Sequence, residues 1–403
     1  MLPVAEAQAR VLAPLRPLGT EWVALPQAHG RALAADLQAK RDHPPVTVSA
    51  MDGYAVRAVD TDPPGRVFRV VGEAAAGEYG RPPLGAGETV RIFTGGALPD
   101  GADAVVIQEN AEPDEGGVRF TTAAGPGTFV RPAGLDFRRG WTGLAAGSLL
   151  DARALGLAAS LGHVWLPVRR RPRIGLLATG NELRWPGETP DGSQIWSSNT
   201  VMAGAMLAAW GAVPVDLGIC PDDGEVLAAR VREAGGLDLL VTTGGASVGD
   251  YDLVQQALGR EGMRLDFWKV AMRPGRPLLS GRLGDVSVLG FPGNPVSTGV
   301  CGIVFLRAAL QKLAGLPVGL AQRQAELGDP LQPNDQRQDY LRAEYVAGSG
   351  RLKVRTAARQ DSSMLATFAM ADALVVRTPF DPARDAGEIV TVIDLQEALS
   401  NLG

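Results

Sequence analysis

Five carboxylates, three clustered cations and three glycine-bearing loops carry the chemistry that this sequence could perform. The carboxylates are Glu182, Asp222, Asp223, Asp250 and Asp252. The cations crowd into Phe267-Trp268-Lys269-Val270-Ala271-Met272-Arg273-Pro274-Gly275-Arg276-Pro277, where two prolines stiffen the chain around Lys269, Arg273 and Arg276. Arginine chelates two oxygens and lysine acts as a point charge, so such a loop suits a phosphate or another oxyanion. The loops are Thr179-Gly180-Asn181-Glu182-Leu183, the stretch from Thr243-Gly244-Gly245-Ala246-Ser247 to Asp252, and Phe291-Pro292-Gly293-Asn294-Pro295. Glycine lets backbone N–H groups approach a ligand closely. A helix that starts after such a loop turns unpaired N–H groups and a positive dipole end toward an anion.

Three histidines, His29, His43 and His163, and two cysteines, Cys220 and Cys301, lie far apart without zinc-ligand spacing. Any metal is then a hard cation held by oxygen, and Mg2+ is the expectation. Mg2+ beside cations and glycine loops points to cleavage or transfer at a phosphate. Asp222 and Asp223 follow Pro221 and suit a helix cap as well. Capping and chemistry coexist there only if one acid does each.

These groups matter only if the fold gathers them. Each loop follows a strand-like run, at 174–178, 237–242 and 286–290, and further runs occur at 213–218 and 265–270. Helical patterns lie between them. One starts at Ser198-Asn199, where either residue can cap, and carries Val201, Ala205 and Met206. Another starts at Pro221-Asp222-Asp223, and a third runs from 296 to 313 and stops at Gly315. Strands alternating with helices predict a mostly parallel α/β sheet over 171–318. Ligands bind such sheets beyond the carboxyl ends of the strands, so all three loops converge on one edge.

The flanks read differently. Residues 3–13 predict a helix with Val4, Ala7 and Val11 on one face, and 28–39 a second helical piece. The helical pattern breaks at His43-Pro44-Pro45. Short β-rich runs at 67–71, 89–93, 104–108 and 118–122 sit between Gly/Pro turns and predict a small β-domain over 41–136. That domain would be inserted into an elongated helical one made of 1–40 and 137–170. Runs at 340–346, 352–356, 373–377 and 389–392 predict a C-terminal β-barrel or sandwich over 319–403. The fold class is therefore α/β multidomain, with two β-domains beside the parallel sheet.

Composition narrows the function. The net charge of −5 and the lack of a basic tract exclude nucleic acid as a natural partner. No apolar run in the sequence is long enough to predict a bilayer span, and the first ten residues carry no signal-peptide pattern. Two well-separated cysteines suit a reducing cytoplasm. No Gly-x-Gly-x-x-Gly follows the first strand of the α/β segment, which weighs against a dinucleotide-dependent dehydrogenase.

The motifs taken together resemble those of the molybdopterin molybdenumtransferases, a family that includes the E domain of gephyrin. The resemblance rests on Ser49-Ala50-Met51-Asp52-Gly53-Tyr54-Ala55-Val56, on Arg91-Ile92-Phe93-Thr94-Gly95-Gly96-Ala97, on Gly101-Ala102-Asp103-Ala104-Val105-Val106 and on the three loops. Residues 339–342 and 360–363 resemble the family's C-terminal domain, and the blocks keep their order from about residue 3 to 395. The chain departs from the pattern at Val46-Thr47-Val48, at Arg273 and Arg276, where lysine is common, and at Gln360-Asp361-Ser362-Ser363.

The resemblance implies an elongated homodimer with the site at the subunit interface and a MogA-like α/β domain. It also implies an activity: molybdate enters adenylylated molybdopterin in a step that needs a divalent metal and releases AMP. Position by position it marks Asp52, Thr94, Glu182, Asp222, Asp252, Lys269, Arg273, Arg342 and Ser362. Asp222 and Asp252 would hold Mg2+ or orient a water, and Glu182 would bind metal or a pterin or nucleotide donor. Lys269, Arg273 and Arg276 would neutralise phosphate and molybdate. Gly244, Gly245, Ser247, Pro292, Gly293 and Asn294 would contact pterin or nucleotide, and Arg342 and Ser362 would reach in from the partner subunit. A molybdopterin adenylyltransferase and apo-molybdoenzymes are the implied protein partners. Two other readings share the fold: a molybdopterin adenylyltransferase, which lacks the blocks at 49–56 and 91–96, and a scaffold, which is free to lose the acids and cations.

Overall fold

The computed structural model of the chain describes every residue except 79–82, 234, 245–252, 348, 349, 401 and 403. The described residues fall into two compact units. One comprises Met1–Ala35, Gly147–Asp151 and Leu166–Gly403, and the other Asp36–Ala146 and Ala152–Trp165.

In the first unit, helix α1 (Val4–Leu12) buries Val4, Ala7 and Val11, the face that the spacing predicts. The helix expected over 28–39 does not form. Gly30 takes a positive φ of 70°, Ala32 and Leu33 bridge to Leu149 and Val168, and Leu37–Gln38 is a strand paired with Thr142–Leu144. Alanine-rich sequence favours a helix locally, but burial of Leu33 and Leu37 in long-range strand pairings outweighs that preference.

The α/β sheet is built from β1 (Arg173–Thr179), β2 (Val213–Cys220), β3 (Leu239–Thr243), β4 (Arg264–Phe267), β5 (Leu279–Leu283) and β6 (Val286–Phe291). Its order is β2-β1-β3-β6-β5-β4. The first four are parallel, as the alternation predicts. β5, which the sequence reading passes over, is antiparallel to both neighbours and makes a mixed edge. β1 is buried on both faces, which is why its sequence is almost continuously apolar. Ile174 and Leu176 pack with α2 (Asn199–Ala209) and the long helix over Pro295–Ala314. Leu177 packs on the other side with Leu227, Val254 and Leu258. The Pro295–Ala314 helix is long and apolar enough to cross a membrane, but 94% of its apolar window is buried inside the fold, so core packing accounts for its composition. It ends at Gly315, left-handed at φ 70°.

The C-terminal region closes into a five-stranded barrel. Its strands are β7 (Arg323–Leu327), β8 (Gln338–Val346), β9 (Lys353–Thr356), β10 (Ala373–Arg377) and β11 (Ile389–Asp394), and β8 pairs with both β9 and β10 to complete the ring. Closure removes the free strand edges. The short strand Met272–Arg273 adds in parallel to the start of β8.

The second unit holds a six-stranded sheet in the order Ala104–Ile107, Gly53–Val56, Glu88–Ile92, Val67–Ala74, Gly117–Phe120 and Ala111–Asp114. Phe68, Phe120 and Val106 lie at its core, and the helix Ala152–Ser160 belongs to the same unit. The α/β multidomain class predicted from the sequence is the observed one.

Candidate active site

Thr179, Gly244 and Gly293, which stand at or just after the ends of β1, β3 and β6, meet at the carboxyl edge of the sheet. Gly244 and Gly293 approach so closely that a Cβ on Gly293 would lie 3.6 Å from the Gly244 Cα. A Cβ on Gly244 would lie 2.2 Å from the Thr179 carbonyl oxygen, and its φ of +87° is one that glycine adopts at little cost. The Gly244 N–H donates to the Phe291 carbonyl at 3.2 Å, so it is committed within the fold instead of facing a ligand. Among the described residues, the N–H groups of Gly293 and Asn294 have no acceptor. Both leave a backbone donor open at this edge. Pro292 is buried, and its carbonyl accepts the Thr298 hydroxyl at 2.8 Å.

The acids divide their work. Asp223 caps the helix Gly224–Glu233, its Oδ1 accepting from the N–H groups of Glu225 at 2.8 Å and Val226 at 3.1 Å. Asp222 does not cap. Its N–H donates to Asn181 Oδ1 at 3.1 Å, and its Oδ2 accepts the Asn181 N–H at 3.4 Å. The loops after β1 and β2 are thereby laced together, and Asp222 Oδ1 has no partner among the described residues. Glu182 is exposed and its carboxylate folds back over Gly180, where a Cβ would lie 2.5 Å from Oε2. Asn181 is a site residue that sequence reasoning left unassigned. A polar residue between Gly180 and Glu182 at a strand end was the available signal.

Asn199 is a second such residue. Neither it nor Ser198 caps α2 through its side chain. Asn199 Nδ2 instead donates to the Gly293 carbonyl at 2.7 Å and ties the start of α2 to the third loop.

The cations differ from the expectation at one position. Lys269 lies over the Trp268 ring, Nζ 3.9 Å from the centroid, with no carboxylate partner among the described residues. Arg276 is exposed and likewise without one. Arg273, however, is paired with Asp339, both carboxylate oxygens accepting from Nε at 3.0 and 3.1 Å, and it lies 3.6 Å from Asp335. Its charge is met within the protein. Burial pushes the Asp339 carboxyl upward against the pull of Arg273.

Gly245, Ser247 and Asp252 lie outside the described residues. Among the described residues, no group of three His, Cys, Asp or Glu side chains is placed to hold a metal. Mg2+ keeps most of its waters and takes one or two carboxylates plus substrate phosphates. The all-oxygen donors here, with Asp222 carrying a free Oδ1, fit an ion shared with a substrate and do not form a closed cage.

Three family models match consecutive parts of the chain: the MoeA N-terminal region (domain I and II) at residues 2–162, a probable molybdopterin binding domain at 175–312, and the MoeA C-terminal region (domain IV) at 324–395. The molybdopterin molybdenumtransferase of Haemophilus influenzae is 31% identical over 404 residues, covering 97% of this chain and 98% of that protein. The chain belongs to the molybdopterin molybdenumtransferase family. Molybdopterin molybdenumtransferase 2 of Mycobacterium tuberculosis is 36% identical over 367 residues, covering 89% of this chain and 87% of its own length. Two solved structures of the MoeA protein from Pyrococcus horikoshii, 27% and 25% identical, each superpose with a TM-score of 0.85 over 98% of this chain and at least 99% of theirs.

The remaining molybdenumtransferase positions are placed as follows. Ser362 lies against the third loop of its own chain. Its hydroxyl accepts from Asn294 Nδ2 of the same chain at 2.7 Å, and its carbonyl accepts the Val296 N–H at 3.1 Å. Arg342 is 1% exposed, and its Nη2 donates to the Asp361 carbonyl at 2.9 Å. Buried in its own barrel, it braces the loop that carries Ser362. In the second unit, Asp52 and Thr94 find each other. Asp52 Oδ1 accepts from the Thr94 N–H at 2.7 Å and the Thr94 hydroxyl at 2.9 Å. Those bonds, the backbone one foremost, hold the Asp52 carboxyl below the ordinary carboxylate range.

Proposed function

We propose that the chain acts in molybdenum cofactor biosynthesis by inserting molybdenum from molybdate into molybdopterin, and that it takes the pterin as its adenylate and releases AMP in a Mg2+-dependent step. The first part follows from membership of the family. The second is supported by one observation above the others: Asp223 takes the helix cap, while Asp222 is tied to Asn181 of the first glycine loop with its Oδ1 unpartnered among the described residues.

In this reading the N–H groups of Gly293 and Asn294 bind substrate oxygens, and Lys269 and Arg276 neutralise phosphate and molybdate charge. Asp222, oriented by Asn181, would hold Mg2+, which supplies charge at the phosphate when bound. Asp222 or Glu182 would also orient the attacking water. Hydrolysis places the water oxygen on the phosphorus of AMP. The bridging oxygen stays with the pterin phosphate, and a proton is released. The same reading places the protein in the cytoplasm as a homodimer, in line with its two buried free thiols and the family resemblance.

The test supplies purified protein with adenylylated molybdopterin, molybdate and Mg2+, and follows AMP release and activation of an apo-molybdoenzyme. Release that depends on molybdate and is lost in Asp222→Ala and Asp252→Ala supports the proposal. A folded wild type that releases no AMP sinks it and favours the scaffold.

A further inference from the structure

A cleft of about 1160 Å3 opens at the amino-terminal ends of β4 and β6, the edge of the sheet opposite the glycine loops. Four arginines line it, Arg10, Arg16, Arg264 and Arg282, against two aspartates, Asp266 and Asp285. That is a positive concavity on a chain of net charge −5.

The register makes the charge unusual. Arg264 of β4 stands directly opposite Arg282 of β5 in the antiparallel ladder, so both side chains leave the same face. Like charges in that relation destabilise a sheet. The fold does little to relieve them. Among the described residues Arg264 has no carboxylate within ion-pair reach, and Arg282 has Asp285 at 3.7 Å, a side chain wholly in solvent. Arg282 in turn faces Ser287 of β6, a buried residue in the same row. Arg16 is held by the carbonyls of Ala13 and Leu15 at 2.7 and 2.8 Å, which fixes its direction without neutralising it. Arg10 is the exception, bound to Glu6 at 2.7 Å and Asp266 at 3.4 Å.

We propose that this cleft binds a small polyanion of the diphosphate class, bridging Arg264 and Arg282 with Arg16 at the rim. Two opposed guanidinium forks offer parallel N–H donors to tetrahedral oxyanions. The cleft has room for more than one such group. The diphosphate could be inorganic or carried by a nucleotide, and both present the same oxygens. The site is separate from the chemistry at the glycine loops and does not rest on it.

The experiment titrates the full-length protein with pyrophosphate, and in parallel with ADP, at ionic strength held constant with NaCl, and follows thermal unfolding. A ligand that binds the folded state raises Tm with concentration. The expected result is a saturable rise with pyrophosphate beyond that of chloride. Arg264→Gln should weaken apparent binding by at least about tenfold without lowering the ligand-free Tm, since each charged hydrogen bond lost is worth that much. Arg282→Glu should raise the ligand-free Tm, because opposite charges now face each other, and should abolish the response. A stronger response to ADP than to pyrophosphate assigns the site to nucleotides, and the reverse assigns it to the inorganic anion. A response no larger than that of chloride, or one that both variants keep while Lys269→Ala loses it, overturns the proposal.

Discussion

Asn294 donates Nδ2 to the hydroxyl of Ser362 at 2.7 Å, a bond that fastens the third glycine loop to a loop of the C-terminal barrel. A neutral pair of this kind contributes about 1 kcal/mol. Removal of either side chain should therefore lower stability by about that amount. The double variant Asn294→Ala/Ser362→Ala should show a coupling of roughly 0.5–1.5 kcal/mol in a denaturant cycle. Strict additivity would mean that the two side chains do not bond in solution.

Asp222 and Asp223 should separate activity from stability. Asp223→Ala removes two cap bonds and should cost about 1 kcal/mol, with AMP release per folded molecule retained. Asp222→Ala should leave Tm nearly unchanged and cut AMP release by about 100-fold or more, the scale of a positioned acid–base group. The opposite pairing of effects would exchange their roles.

Arg273 and Arg276 should also part. Arg276→Gln should raise the KM for the anionic substrate several-fold at unchanged Tm. Arg273→Gln strands Asp339, whose side chain is 3% exposed, and should cost roughly 2 kcal/mol, discounted for the half-exposed arginine. The carboxyl of Asp339 is already raised by burial and rises further without Arg273. A raised carboxyl favours the folded state below its unfolded value near ~4 and loses that advantage as pH climbs through the folded value. The deficit of the variant should therefore be greatest at neutral pH and shrink toward about pH 4. A deficit that grows in acid would contradict this.

Asp52 titrates in the other sense. Its carboxyl is lowered by Thr94, so the stability that it contributes is present above ~4 and is lost as pH falls through the lower folded value. Thr94→Val removes the hydroxyl donor and keeps the backbone one. Carboxyl NMR should find the Asp52 transition moved upward, yet still below that of an exposed aspartate. No movement would deny the hydroxyl contact.

Both cysteines are free and buried, and complete burial drives the Cys301 thiol far upward. A thiol reagent at neutral pH should find neither in the native protein and both after unfolding.

The parallel strands and their glycine loops were legible because their signals are local: an apolar run, a glycine, then a cap. The role of Arg273 was not. Its partner Asp339 lies 66 residues away, and nothing near either residue in sequence announces the other. The 28–39 segment misled for the same reason, since alanine content is local and the pairing of Leu33 with Val168 is not. Asp222 and Asp223 were recognisable as a pair with two tasks, but only geometry could say which acid faced the helix.

Met272 and Arg273 run in register with Gln338 and Asp339, so one wall of the cation loop is a barrel strand. The α/β segment is contiguous in sequence without being self-sufficient in shape. Recombination between relatives that exchanged the barrel alone would hand the recipient a foreign wall for its own loop. Barrel and loop therefore form one structural unit, although more than sixty residues of chain lie between their paired strands.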